Sequence, residues 1–283
     1  MTANRLKNPP AFFIKFTLEI LCNLYYNITT DWHERAMKME FTNIYKNFRI
    51  GKLSALILAS GSGTRVGGEI PKQHLVVHSL PVIVHTLLAF ERTACVHEII
   101  VSIRPGEEEL YENYKKDYGI TKLKKTVVGG STRSESAFNA MELADPDCDY
   151  IAIHDGARCL VTPQIIENVA FEAVRHKAAS AACPVSDTVV ITRENGMTET
   201  ENQPQRSSLM ALQTPQIFDA NLYRAVSYTA KQDGFAGTDD TSLAHHCGFS
   251  CKAVNTGVNN IKITTKEDLL RAEILLSERE GAL

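Results

Sequence analysis

The segment Leu53–Gln73, LSALILASGSGTRVGGEIPKQ, constrains this chain more than any other. Leu53, Ala55, Leu56, Ile57, Leu58 and Ala59 read as a buried strand, and Gly61, Gly63, Gly67 and Gly68 then strip the following turn of side chains. Backbone N–H groups in such a turn can approach an anion closely, which bulkier residues would prevent. Arg65 and Lys72 add two cations beside those amides, an arrangement suited to a triphosphate. Two better-known glycine loops do not fit. A P-loop requires a Gly-Lys-Ser/Thr ending, which does not occur here, and the dinucleotide fingerprint requires a third glycine where Val66 stands. A strand feeding this turn therefore predicts an α/β nucleotide site of another kind.

The rest of the chain agrees. Apolar runs recur at Glu98–Ile103, Lys125–Val128, Tyr150–His154 and Ala179–Pro184. Helical stretches separate them at Pro81–Thr93, Glu107–Tyr118, Thr132–Ala144 and Pro163–His176, and later at Asp219–Thr229 and Lys266–Leu276. That alternation predicts a mostly parallel sheet covered by helices on both faces, with ligands bound beyond the carboxyl ends of the strands. Residues 186–212 break the rhythm: Asp187–Thr192 reads as a strand and Glu194–Asn195–Gly196 as a turn, which predicts a β-hairpin arm. The 283 residues carry a net charge of −3, so no basic field invites nucleic acid. Seven scattered cysteines form no disulfide framework and suit a reduced, cytoplasmic protein. In residues 1–50, Lys15 and Glu19 interrupt the apolar stretch Phe12–Tyr26, and no run is long enough to span a membrane. That extension, of unknown role, is expected to stand outside a domain of residues 51–283, with Met37 and Met39 as alternative starts.

Four further segments could carry chemistry. Gly129–Ser136, GGSTRSES, offers open backbone and hydroxyls, although a helix N-cap alone would explain Ser131 or Thr132. His154–Arg158, HDGAR, ends a strand with Asp155, either a metal- or ribose-directed acid or a partner of Arg158. Arg206 precedes Gln213–Gln216, QTPQ, whose Thr214 before Pro215 reads as an extended turn. In Asn259–Thr265, Lys262 alternates with Ile261 and Ile263 as in a strand, which turns it to solvent or to a cleft. His245, His246, Cys247 and Cys251 crowd together but lack the paired spacing of a zinc site.

Taken in order, SGSGTRVG with PKQ, GGSTRSES, HDGAR, PVSDT, QTPQ, TDDTS and NIKITTKEDL resemble the 2-C-methyl-D-erythritol 4-phosphate cytidylyltransferase family over roughly Lys52 to Leu276. The resemblance implies a three-layer α/β/α nucleotidyltransferase fold, Rossmann-like, with a protruding β-arm, and a homodimer whose arms reach the partner's site. It implies transfer of CMP from CTP to the polyol phosphate with Mg²⁺, releasing pyrophosphate. On the matching positions, Arg65, Lys72 and Lys262 would stabilise the reacting phosphates. Arg206 and Thr188, from the other subunit's arm, would grip the acceptor. Ala59, Ser60, Gly61, Gly130, Ser131 and Ser136 would form the base pocket. Asp155 and Arg158 would face the sugar and acceptor hydroxyls, with Asp155 near the metal, and Thr214 would be a further substrate-binding residue. The chain departs from the family pattern at Val190, often lysine, at Gln205, commonly acidic, at Cys159, usually proline, and at Ser60, where a second alanine is usual. Competing readings are a ribitol-5-phosphate cytidylyltransferase, a non-catalytic CTP-binding module and, more distantly, a dehydrogenase.

Overall fold

The computed structural model describes residues 50–61, 70–194, 196–199, 201 and 203–281. The N-terminal extension and Arg65 therefore lie outside the described residues. In chain order the strands are β1 (Leu53–Leu58), β2 (Val76–Val77), β3 (Leu80–Pro81), β4 (Val96–Ile103), β5 (Leu123–Val128), β6 (Tyr150–Asp155), β7 (Ala178–Pro184), β8 (Met210–Asp219) and β9 (Lys252–Asn255). The helices are α1 (Val82–Arg92), α2 (Glu108–Asp117), α3 (Arg133–Met141), α4 (Pro163–His176), α5 (Ala220–Gln232), α6 (Asp240–His246) and α7 (Lys266–Gly281). One seven-stranded sheet runs in the order β5-β4-β1-β6-β8-β7-β9. Strands β5, β4, β1 and β6 are parallel, and β8 alone runs against its neighbours.

The two-residue period of a strand sends alternate side chains to opposite faces. Leu53, Ala55 and Ile57 of β1 join Ile99 and Val101 of β4 in a core covered by Leu87 and Phe90 of α1, Tyr111 of α2 and Ile166 and Val169 of α4. Leu56, Ile100, Ile151 and Ile153 join the opposite core, covered by Ala137 and Ala140 of α3, Tyr223 and Val226 of α5 and Leu243 of α6. These strands are buried on both faces, so they read as continuous apolar runs. Each such Leu, Ile or Val side chain contributes about 1.5–3 kcal/mol. A third cluster packs α7, through Ala272 and Leu276, against Ile263, Leu160 and Val82. Among the described residues no helix is long and apolar enough to cross a membrane.

Three expectations change. Asp187–Thr192 is not a strand: among the described residues, the segment between β7 and β8 holds one isolated bridge, Thr192 to Thr198, closed by a turn with Gly196 at φ +80°. Val189, Val190 and Ile191 are each more than 40% exposed; Ile191 O accepts from Glu199 N (2.8 Å) across the turn, but neither Val189 nor Val190 belongs to a described strand. The returning half of the expected arm, Met210–Leu212, belongs instead to β8 in the main sheet. Thr214 lies within that strand rather than in a turn. Pro215, which has no N–H to donate, is tolerated because the β7–β8 register slips between Ser180 and Ala182, leaving Gln213–Pro215 as a bulge. Finally, Lys262 sits in an extended segment outside any named strand, although Ile263 is fully buried as the alternation requires.

Candidate active site

Parallel strands deliver their carboxyl ends to one edge of the sheet, and there the predicted motifs meet. Ala59–Gly61 leaves β1, Gly129–Ser131 leaves β5, and Asp155 closes β6. A cavity of about 530 Å³ opens between them. Ala59, Ser60, Gly61, Gly130, Ser131 and Ser136 line one part of it, and Lys72, Asp155 and Lys262 another. A side chain at Gly130 would collide with Glu135. Glu135 in turn accepts from Ser131 N (2.7 Å) and Oγ (2.6 Å), while Thr132 caps α3 by accepting from Glu135 N (3.1 Å). The capping reading of this motif is thus also true: the same turn caps the helix and walls the cavity.

The PKQ segment folds as a single 3-10 turn, Lys72–His74. Gln73, buried, donates to Ala59 O (2.7 Å) and ties the turn to the end of β1. His74 Nε2 lies 3.1 Å from Glu107 Oε1, which anchors the turn to the start of α2. Lys72 Nζ donates to Ile263 O (2.8 Å), so the lysine is placed across the cavity mouth beside the Lys262 segment.

Asp155 is the electrostatic centre. Lys262 Nζ lies 2.8 Å from its Oδ2, Arg133 Nε 3.3 Å from Oδ1, and Arg158 Nε 3.6 Å from Oδ2. Burial alone would raise the pKa of this carboxyl, but Arg133, Lys262 and Arg158 outweigh it and hold it well below the usual carboxylate range. Arg133 is shared, because its Nη1 also donates to Asp240 Oδ2 at 2.6 Å. Burial would lower the Arg133 pKa, yet Asp240 and then Asp155 raise it. Asp240 is 1% exposed and is held by the Tyr223 hydroxyl (2.6 Å), while Gln216 accepts from its backbone N–H (2.9 Å). Arg133 Nη2 is buried without a hydrogen-bond partner. Lys262, Arg133 and Arg158 outnumber Asp155 and Asp240, leaving positive charge for an anionic ligand.

Behind Asp155 the support is neutral. Asp155 N–H donates to Thr214 Oγ1 (3.0 Å), and that hydroxyl lies 3.1 Å from His154 Nδ1. His154 Nε2 faces Arg158 O (3.4 Å), so it carries the proton and Nδ1 accepts from Thr214. Burial pushes the His154 pKa down to about 3, which keeps the ring uncharged beside the cations. Asn260 donates to Thr214 O (2.8 Å) and accepts through its backbone carbonyl from Arg158 Nη1 (2.8 Å).

Thr214 and Arg158 therefore stand behind the cavity rather than in its wall. Thr188 and Arg206 do not line it either. Both are exposed, and Arg206 donates to Ser186 O (3.2 Å) within its own segment. Sequence reading missed the roles of Asp240, Gln73, His154 and Asn260, and gave Arg133 none. Adjacent acids in TDDTS look like a surface pair until the fold buries one of them. Among the described residues no group of three or more His, Cys, Asp or Glu side chains gathers to hold a metal ion; Asp155 is the one carboxylate lining the cavity that could share a divalent cation with substrate phosphates.

Gly61 after β1, a cation-ringed carboxylate at the end of β6 and lysines at the mouth suit the handling of nucleotide phosphates, as in a nucleotidyltransferase. The profile of IspD, 2-C-methyl-D-erythritol 4-phosphate cytidylyltransferase, matches residues 53–278, and the chain belongs to that family. A protein of that name from Alkaliphilus oremlandii is 39% identical over 235 residues, covering 82% of this chain and 98% of its own length. Another, from Caldanaerobacter subterraneus, is 40% identical and covers 79% of this chain and 98% of its own length. Among solved structures, 4-diphosphocytidyl-2C-methyl-D-erythritol synthase from Anaerococcus prevotii aligns with a TM-score of 0.71 at 28% identity, covering 81% of this chain and all of its own. The Thermus thermophilus cytidylyltransferase aligns at 0.65 with 28% identity, covering 80% and 99%.

Proposed function

We propose that the chain transfers CMP from CTP to 2-C-methyl-D-erythritol 4-phosphate, releasing pyrophosphate, as a step of isoprenoid precursor synthesis in the cytoplasm. The observation that carries this reading is the cavity at the carboxyl end of β1, neutral along Ser60 and Gly130 and cationic around Asp155, Lys72 and Lys262. A pyrimidine nucleoside suits the neutral wall, and a triphosphate suits the lysines.

An oxygen of the acceptor's phosphate attacks the α-phosphorus of CTP. The new phosphorus–oxygen bond forms as the bond to the β-phosphate breaks, and both electrons of that bond leave with pyrophosphate. Lys72 and Lys262 stabilise charge that grows on the α-phosphate and the departing group, with Arg65 as a third cation. Lys262 is already placed by Asp155 and Lys72 by the Ile263 carbonyl, so neither must be ordered during the reaction. Mg²⁺, held by Asp155 and substrate phosphates, would supply further neutralisation when bound. The attacking phosphate is already ionised near neutral pH, so no protein nucleophile is needed. Thr188 and Arg206 would reach the acceptor from a second subunit of a homodimer.

The test is pyrophosphate release with CTP and Mg²⁺, comparing 2-C-methyl-D-erythritol 4-phosphate with ribitol 5-phosphate. Release with the first alone is expected. Release with ribitol 5-phosphate alone would keep the chemistry and overturn the acceptor.

A further inference from the structure

Arg133 is held between two carboxylates, and unequally. Its Nη1 donates to Asp240 Oδ2 at 2.6 Å, whereas its Nε reaches Asp155 Oδ1 at 3.3 Å. Asp240 is the less movable of the two. It is 1% exposed, opens α6 and lies outside the lining of the cavity. Gln216 Oε1 accepts from the N–H groups of Asp240 (2.9 Å) and Thr241 (3.2 Å), and Gln216 Nε2 donates to Asp239 Oδ2 (2.9 Å) and Gln213 O (3.4 Å). Both donors and both acceptor sites of that amide are thus used to fasten the start of α6 to β8. The Tyr223 hydroxyl occupies the other Asp240 oxygen at 2.6 Å. On one edge of a guanidinium, Nε–H and an Nη2 N–H lie side by side and can grip both oxygens of a carboxylate. Arg133 turns that edge to Asp155 through Nε alone, and its buried Nη2 has no hydrogen-bond partner among the described residues. Asp155 Oδ2 is left to Lys262 at 2.8 Å, with Arg158 Nε farther off at 3.6 Å.

We infer that Asp240 is a positioning residue for Lys262: by holding Arg133 back from a two-bond grip on Asp155, it reserves Asp155 Oδ2 for the lysine. A bidentate arginine is the stronger partner of a carboxylate, so the lysine keeps its place only while the arginine is restrained. Without the Asp240 charge, Nε and Nη2 of Arg133 close on both Asp155 oxygens and Lys262 loses its anchor beside the cavity. A cation displaced by about 1 Å from reacting phosphates can cost a hundredfold in rate. The inference rests on the role proposed above for Lys262 in CMP transfer.

Pyrophosphate release at saturating CTP and 2-C-methyl-D-erythritol 4-phosphate with Mg²⁺ tests it on the full chain, in Asp240→Asn, Arg133→Gln and the double variant. Asp240→Asn keeps the shape and withdraws the charge, and should lower kcat by more than about tenfold. Adding Arg133→Gln removes the competitor of Lys262, so the double variant should turn over at least about threefold faster than Asp240→Asn alone. A merely structural Asp240 predicts the opposite, because a second buried change then adds its own loss. A smaller loss in Asp240→Asn, or a double variant short of that recovery, would overturn the inference and leave the proposed function standing. If Asp240→Asn alone does not fold, the double variant, which removes both members of the ion pair, is compared with Arg133→Gln. Rates within about tenfold of each other are then expected, and a larger gap would overturn the inference. A wild type that releases no pyrophosphate would overturn the proposed function and this inference with it.

Discussion

Two regions of this molecule carry residues that the sequence assigns to one reaction, and they are built in opposite ways. Around Asp155 the charged side chains and the Thr214 hydroxyl are held by buried partners. Arg133 bridges two carboxylates, Thr214 links the Asp155 backbone to His154, and Asn260 braces Thr214. The segment between β7 and β8, which carries Thr188 and Arg206, has one isolated bridge and exposed apolar side chains at Val189, Val190 and Ile191. The first region is ordered by its own chain. The second has no strand beside it among the described residues, and its two functional candidates do not reach the cavity of the same chain. The contrast suits an enzyme that prepares its nucleotide side in advance and completes its acceptor side from elsewhere.

Mutations at the two regions should therefore differ in kind. The largest effect is expected at Lys262→Ala. Removing a preorganised cation from the reacting phosphates should lower kcat by about a thousandfold, or about 4 kcal/mol, measured by pyrophosphate release. A kcat within tenfold of wild type, about 1.4 kcal/mol, would remove Lys262 from the machinery. Asp240→Asn should act on the fold as well as the site, because it leaves Arg133 buried with one partner fewer. A stability loss of about 3 kcal/mol is expected in urea unfolding, with a fall in activity. Unchanged unfolding would mean that Asp155 alone satisfies Arg133.

Arg206→Ala should show the reverse pattern. We expect the acceptor KM to rise roughly thirtyfold, or about 2 kcal/mol, with the CTP KM unchanged. Unfolding should move by less than about 0.5 kcal/mol, as for an exposed side chain. An equal rise in both KM values would break the division between the two regions. Acidification acts on the fold first through a single buried ring. His154, depressed from 6.5 to about 3, is neutral in the folded state but takes up a proton when unfolded. Its contribution is complete above the unfolded value and declines as pH falls from 6.5 toward 3, by about 1.4 kcal/mol per unit at most. Below pH ~4 the depressed Asp155 adds to the loss. Urea midpoints at pH 7 and pH 5 measure the His154 part, and equal midpoints would place that ring in water.

The parallel half of the sheet was readable because β1, β4, β5 and β6 are apolar runs separated by helical periods, and α4 begins at Pro163 with a Thr162 cap. Strand β8 was not readable, since Pro215 argues for a turn in any linear reading, and only the bulge opposite β7 admits it. The strand expected at Asp187–Thr192 failed for the complementary reason: its side chains favour a strand, but a strand also needs a neighbour. At the site, motifs that follow strand ends were legible because topology carries every parallel carboxyl end to one edge. Alternation with Ile261 and Ile263 turns Lys262 away from the core and leaves solvent or cleft open; the fold sets it against Asp155.

The sequence by itself determined the α/β class, the end of the sheet that binds, the nucleotide character of that end and the family. Those follow from local periodicity, glycine turns and ordered motifs, which need no knowledge of distant neighbours. Only the tertiary structure decided which charges are paired. Asp240 meets Arg133 across 107 residues, Lys72 meets Ile263 across 191, and Ser60 meets Ser136 across 76. Burial and hydrogen-bond direction are properties of such encounters. A carboxylate or hydroxyl acquires its role only when the fold takes water away and supplies the partner.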